Sequence, residues 1–333
     1  VLSTLLPRQI PNLKNQIRTY INSSNTVIID YQDLTFQWLT FDELSIRPRL
    51  TFDQISMGLS WQEGAGLIKF KTAEIEINLM GSLVAWSPRF SSIKIDGSKI
   101  FVTNSPIDGF LFNQIPIKKL LNLPELSTKQ AAVDFKNINI ELPLDDTTTF
   151  FSNLNGQIKH KYNMALVELE NMDYSTTGSN LKINNVSGLI EIARARFKAN
   201  SLSGQFLGRP VSIQIDPYNK DGYTQLILLR SESESIKLIN VLDLPLAEFF
   251  SGTMNWEAEV YLSERPEEIP IKIIWNVALD KAIGKFPETV NNFMGNSTKA
   301  KFDIALDDSE TMNIQGLLGE KLSSSFLLGK KNG

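Results

Sequence analysis

Residue types that usually carry acid–base or metal chemistry are scarce in this sequence. The 333-residue chain has one histidine and no cysteine. Without cysteine there is no thiolate nucleophile, no zinc–thiolate centre and no disulfide. The histidine, His160, stands in Ile158-Lys-His-Lys-Tyr162. Strand alternation puts it on the side of Ile158 and Tyr162, between two lysines whose charge lowers an imidazole's proton affinity. It reads as a packed or edge histidine. Paired acids occur at Asp145-Asp146, Glu267-Glu268 and Asp307-Asp308. Adjacent strand residues point to opposite faces and Asp favours turns, so these pairs suit turns better than a glycosidase cleft. Gly64-Ala-Gly66 and Gly204-Gln-Phe-Leu-Gly208 lack the long helix and the Lys-Ser/Thr that follow a phosphate loop. The expectation is a non-enzyme with no catalytic residue, no metal and no cofactor.

Charge excludes another class. The formal net charge is -4, and basic clusters such as Lys159-His160-Lys161 and Lys330-Lys331 are short. Nucleic acid is not an expected partner, because phosphate binding needs clustered Lys and Arg. No run of about 18 apolar residues is present to span a bilayer as a helix. The sequence opens on Val1 rather than Met, and we expect that a signal or membrane anchor precedes it.

The elements that would position any site are mostly strands. One amphipathic helix is predicted over residues 1–24, with Leu6, Ile10, Leu13, Ile17 and Ile21 at helical spacing and Pro7 and Pro11 near its start. Its apolar stripe suits a membrane surface or the end of a sheet. From 25 to 333 the period is two, as one continuous β domain with a sub-boundary near 145–152. Ile75 and Ile77 alternate with charged residues, and so do Ile213, Ile215, Trp256, Val260, Ile273 and Trp275 with polar ones. This is the pattern of antiparallel strands with one apolar face. Turns are expected at Asp96-Gly97, Asn155-Gly156, Ser187-Gly188, Asp221-Gly222 and Asp307-Asp308. Three apolar stretches break the alternation: Gly81-Ser-Leu-Val-Ala-Trp86, Ile115–Ser127 and Ile236–Phe250. They read as short inserted helices or loops.

The fold class expected is therefore mostly β: a long curved antiparallel sheet forming an open groove. Soluble proteins rarely expose an apolar patch above roughly 300–600 Å² without a use, and acyl chains would fill such a trough. The lining residues expected are Ile75, Ile77, Ile93, Ile95, Val186, Ile190, Val211, Ile213, Trp256, Val260, Ile273, Trp275, Val277, Phe302 and Ile304. The alternative is a closed β-sandwich that docks protein partners through its edges and holds no ligand.

Three segments carry a resemblance. The stretch 73–100, with Ile75, Ile77, Leu83, Trp86, Pro88, Arg89, Ile93, Ile95, Asp96 and Gly97, resembles the AsmA-like family of Gram-negative envelope proteins, in particular its YhdP type. There a short apolar helix joins two strands, the second ending in Asp-Gly. Segments 181–215 and 251–295 are similar to later units of that family. Gly284-Lys-Phe-Pro287 departs from the pattern by its single Pro, which puts the register over 284–295 in question. The resemblance implies a taco-like groove in the periplasm, tethered to the inner membrane by an N-terminal anchor outside this sequence. It implies phospholipid as the partner, with transport between inner and outer membranes or outer-membrane homeostasis as the role, and no catalytic residues.

Overall fold

The computed structural model describes residue 19 and residues 27–41, 45–59, 67–85, 89–105, 109–116, 132–144, 147–161, 164–177, 181–193, 196–241, 250–263, 269–279, 281–284, 299–306, 311–318 and 322–329. The helix expected over 1–24, the acid pairs 145–146, 267–268 and 307–308, the loops 64–66 and 117–127, and the departure over 285–295 lie outside them, Thr19 apart. The chain divides into two compact units, Val1–Asp173 and Tyr174–Gly333.

The first unit is built from ten strands: β1 (Val27–Asp30), β2 (Asp33–Phe41), β3 (Ser45–Leu59), β4 (Ile68–Ile77), β5 (Phe90–Ser105), β6 (Gly109–Phe112), β7 (Ile115–Pro116), β8 (Ala132–Leu144), β9 (Thr147–Lys161) and β10 (Met164–Thr176). A helix, α1 (Leu79–Ala85), joins β4 to β5. β1 and β2 both pair with one side of β3, and β3, β4 and β5 follow as an antiparallel meander. β5 then pairs with β8 in parallel, a departure from the purely antiparallel expectation. The cause is the long connection through β6 and β7, which returns the chain to the same end of the sheet. β8 and β9 close as a hairpin.

The second unit continues with β11 (Lys182–Ala193), β12 (Arg196–Phe206), β13 (Arg209–Lys220), β14 (Tyr223–Glu234), β15 (Phe250–Leu262), β16 (Ile271–Ala278), β17 (Ala282–Gly284), β18 (Lys299–Leu306), β19 (Thr311–Leu318) and β20 (Leu322–Gly329). Neighbours pair antiparallel from β11 to β16, then β16 with β18, β18 with β19 and β19 with β20, while β17 pairs with the start of β15. A second helix, α2 (Ser235–Val241), joins β14 to β15. Among the described pairings β11 and β20 do not meet, so this sheet is open rather than closed.

Three of the expected turns are not turns. Asp96-Gly97, Asn155-Gly156 and Ser187-Gly188 lie inside β5, β9 and β11. The two-residue turns among the described residues are Asn113-Gln114, Leu207-Gly208 and Asp221-Gly222, all six residues with positive φ as tight hairpins require. Inside the strands of the first unit, three positive-φ residues form a transverse row instead. Gln54 (φ 51), Gly97 (φ 66) and Asn137 (φ 53) sit on β3, β5 and β8. The registers Asp53↔Thr72, Thr72↔Asp96 and Asp96↔Lys136, resumed beyond the row by Ile55↔Phe70, Phe70↔Ser98 and Ser98↔Ile138, put these three and Lys71 of β4 side by side. The Asn137 N–H continues the row by donating to Asn155 Oδ1 at 2.9 Å, and Asn137 Nδ2 donates back to Asp96 Oδ1 at 2.7 Å.

The row has a consequence for packing. Residues three apart on a regular strand face opposite sides. Yet Ile55 packs against the buried cluster of Tyr31, Leu34 and Phe52, with Leu50 and Ile75 beside it. The left-handed residue between Phe52 and Ile55 absorbs the odd step, so the strand bends and keeps one apolar side. Phe135 and Ile138, both buried, flank Asn137 in the same way. Asn tolerates this conformation because its short amide bonds locally. At Gly97 any side chain also collides, since a Cβ there would lie 2.8 Å from Lys71 Cβ.

Curvature is visible in the second unit as well. β12 and β14, separated by β13, approach within 8 Å at Cα, against about 9.5 Å for two steps of a flat sheet. Where β13 carries Pro217, the Gln225 side chain replaces a strand. Its amide donates to the Phe197 carbonyl at 2.8 Å and accepts from the Phe197 N–H at 3.3 Å.

The row predicts a residue-specific outcome. Asn137→Gly should change stability by less than about 1 kcal/mol, whereas Asn137→Val and Gly97→Val should each cost about 2–3 kcal/mol. Urea unfolding midpoints check this; equal midpoints for the Gly and Val variants at 137 would remove backbone conformation as the reason for asparagine there.

Candidate functional site

The apolar face of the second unit is assembled by register. On β13, β14, β15, β16 and β18 the paired residues form three transverse lanes. The first runs Val211, Ser231, Trp256, Val277, Ala300. The second runs Ile213, Leu229, Ala258, Trp275, Phe302, and the third Ile215, Ile227, Val260, Ile273, Ile304. No residue of the three lanes is ionisable. Lanes lie about 6.7 Å apart along the strands, and five strands span about 19 Å across them.

Burial is graded across this face. In the first lane Val211, Trp256, Val277 and Ala300 are buried. In the third lane Ile215, Ile227, Val260, Ile273 and Ile304 are all half-buried. The closed side is the side of α2, which packs on β14 and β15 with Leu238 and Ile239 buried. Its base is tied by two fully buried serines: Trp256 Nε1 donates to Ser233 Oγ at 3.0 Å, and Ser235 Oγ donates to the Gly252 carbonyl at 3.1 Å. Phe206 lies edge-on to Trp256 with ring centroids 5.4 Å apart. β12 and β15 are two strands removed from adjacency, so the rings meet by leaning across the small Ser231 and Val211.

The structure places the residues expected from this unit on one face of its sheet. Nine lie on the lanes: Val211, Ile213, Trp256, Val260, Ile273, Trp275, Val277, Phe302 and Ile304. Val186 is fully buried and lies 3.3 Å from a Cβ built on Gly204, which faces Val211. Ile190 shares their side by alternation from Gly188, the partner of Leu202, and is half-buried. In the first unit Ile75 pairs with Ile93 and Ile95 with Ala73, and Ile77 follows Ile75 by alternation. These four are half-buried and share the side of Phe52. The expected set lacked six lane residues: Ile215, Ile227, Leu229, Ser231, Ala258 and Ala300. The run Leu226-Ile-Leu-Leu229 is apolar on both faces, which hides its period, and Ala258 is too small to register.

The opposite face is charged and self-paired. Arg230 Nε meets Glu257 Oε2 at 2.5 Å, Lys281 meets Glu232 at 3.2 Å and Lys301 meets Asp303 at 3.5 Å. The hydrogen bond from Lys281 holds the Glu232 carboxyl below its ordinary pKa. The Tyr261 hydroxyl donates to Glu259 at 2.5 Å, and this bond, with burial, raises its pKa. The Tyr218 ring packs edge-on and the Tyr223 ring tilted against that of Tyr261, with centroids at 5.2 and 5.6 Å. An open depression on this face is lined in part by Arg230, Glu257, Asn276, Lys299 and Lys301. In the first unit the Arg49–Glu76 pair, at 2.6 Å, likewise lies on the face opposite Leu50 and Ile75. Among the described residues no three His, Cys, Asp or Glu side chains cluster as metal ligands, and no helix is long and apolar enough to cross a membrane. His160 lies on β9, its side chain outside the described set.

The buried indole bond gives a test of the closed side. Ser233→Ala strands a buried N–H and should cost about 1–3 kcal/mol. Adding Trp256→Phe removes the stranded donor, so the double variant should lose about 1 kcal/mol less than the two single losses summed. Denaturant titration of the four proteins measures the coupling, and strict additivity would show that the bond contributes nothing.

Comparison with known proteins bears on both units unequally. The family model described as YhdP protein matches residues 137–333, more than half the chain and the whole second unit. Segments 181–215 and 251–295 of the sequence resemblance fall inside this match, and 73–100 falls before it. No curated protein and no solved structure matches the chain significantly. With a match over more than half of its length, the chain belongs to the YhdP family.

Proposed function

We propose that the apolar lanes are a lipid-binding groove of the bacterial envelope, contributing to phospholipid movement between the inner and outer membranes or to outer-membrane homeostasis. The observation that carries this reading is the third lane. Five strands contribute one aliphatic residue each, Ile215, Ile227, Val260, Ile273 and Ile304, and all remain only half-buried along an open sheet. A finished protein core would bury them. An acyl chain laid across them would be held at about 0.8 kcal/mol per buried methylene. Binding of that kind needs no directional partner, so chains can slide, with head groups left at the wet rim. The chemistry proposed is passive; the residues act as surface, and none is given a catalytic role. Family membership supports a place in the envelope, and we extend this to a periplasmic position tethered to the inner membrane. The first-unit residues Ile75, Ile77, Ile93 and Ile95 are proposed to line a corresponding surface of their own sheet.

The test is lipid content. Protein purified without detergent should yield phospholipid on solvent extraction, read by mass spectrometry. Val260→Glu combined with Ile304→Lys places two charges of opposite sign on the third lane, separated by Ile273. This variant should retain its far-UV β signature and lose the lipid by about fivefold or more, given the cost of unpaired charge on an apolar face. A lipid-free wild type, or unchanged lipid in the folded variant, would overturn the groove reading.

A further inference from the structure

We propose that α1 is a membrane-surface finger, a preformed apolar hook that dips into the interfacial layer of a lipid bilayer. The helix presents Met80, Leu83 and Val84 at i, i+3 and i+4, which makes one contiguous stripe. These side chains are 73%, 67% and 84% exposed. The counterpart connection in the second unit behaves differently. α2 also joins two consecutive strands through an apolar segment, yet Leu238 and Ile239 are only 3% and 4% exposed. A hook of this kind can bury itself on its own sheet; α1 does not.

The stripe is held out by construction. Asn78 caps the helix, its Oδ1 accepting from the Gly81 N–H at 2.8 Å. The Asn78 N–H donates to the Arg89 carbonyl at 2.8 Å, and the Arg89 N–H donates to Ser82 Oγ at 2.9 Å. These bonds clamp both ends of the hook at its base, so the apolar tip carries little ordering cost when it is covered. Gly81 is confined by the same cap: a Cβ there would come within 3.0 Å of the Asn78 side chain.

Two features choose a bilayer as the occupant. Three side chains offer far less than the roughly 800 Å² per partner of a stable protein interface, but convex aliphatic tips suit burial about 5–10 Å into the headgroup boundary. Charge agrees: from Asn78 to Phe90, the hook and its return, the sequence holds Arg89, exposed, and no Asp or Glu. Anionic head groups complement that segment although the whole chain is net acidic. This surface is distinct from the lanes of the second unit, and the inference does not depend on them.

Flotation with vesicles of phosphatidylethanolamine containing a minority of phosphatidylglycerol tests it. The wild-type chain should co-float, and a variant carrying Met80→Ser, Leu83→Ser and Val84→Ser should partition about tenfold less. Arg89→Gln should weaken binding only where phosphatidylglycerol is present. Because the three apolar residues are exposed, the serine variant should keep its circular dichroism and unfolding midpoint, and its extractable lipid should match wild type. Loss of extractable lipid in the serine variant with unchanged vesicle binding would assign the stripe to lipid retention and overturn the finger, whereas a wild type that floats but carries no lipid would count against the groove reading alone. A wild type that stays unbound, or a folded serine variant that floats equally well, would overturn the proposal. So would a wild-type dimer that the serine variant abolishes without any vesicle binding, which would assign the stripe to a second copy.

Discussion

A strand that bends must still decide, residue by residue, which side chain goes inward. In a flat strand the period of two makes that choice automatic. In these long strands the choice is reset at Gln54, Gly97 and Asn137, each in the left-handed conformation. Without that reset, Phe52 and Ile55 would diverge to opposite faces, as would Phe135 and Ile138, and half of each strand would turn its apolar residues to water. A one-residue error inverts a whole strand, so the apolar face exists only because the row is aligned across neighbours. The hydrogen bonds from Asn137 to Asp96 and Asn155 couple adjacent strands at the row, which makes the bend a property of the sheet rather than of one strand.

This is also where the sequence was hardest to read. Strand identity was legible, because alternation of Ile, Val and Trp with charged residues survives in β4, β13, β15 and β16. Which side chains share a face was legible for the same reason: paired positions inherit their face from the period. The bends were not. Asp-Gly, Asn-Gly and Ser-Gly have the same chemistry at a hairpin as inside a kinked strand, since both need positive φ or a close backbone approach. What separates the cases is the next residue but one. At Asp221-Gly222 the chain reverses and pairs with itself, as Lys220↔Tyr223 shows. At Asp96-Gly97 the strand on either side already has partners on β4 and β8. That is long-range information which local composition does not hold. The parallel β5–β8 pairing was hidden likewise, because an intervening pair of short strands carries no mark of the direction of return.

The lanes explain why no motif marks the site. A catalytic centre requires particular groups within hydrogen-bond reach, and such groups leave spacing in the sequence. An apolar lane requires only that each strand contribute something without charge at the right register. Ser231, Ala258, Trp256 and Phe302 satisfy it equally, and their sizes set depth rather than chemistry. Leaning of Phe206 and Trp256 over Ser231 fills the α2 side, and the aliphatic third lane remains shallow. The gradient from buried to half-exposed across one face is what a groove with one closed wall needs, and it is set by α2 together with residue size.

The two hooks make the same argument in a different element. Both α1 and α2 are seven-residue helices inserted between adjacent antiparallel strands. A seven-residue helix is too short to be stable alone, so each must borrow stability from its base. α2 borrows it from burial: Ser235 bonds to Gly252, and Leu238 and Ile239 sink onto β14 and β15. α1 borrows it from polar clamps at Asn78, Ser82 and Arg89. Polar clamping leaves the apolar stripe unspent. Exposed aliphatic side chains on a helix that could have been anchored by them lower solubility and add nothing to the fold. Their exposure in that position is what the proposed contact with a bilayer surface would use, and the polar clamps hold α1 in the shape to meet it.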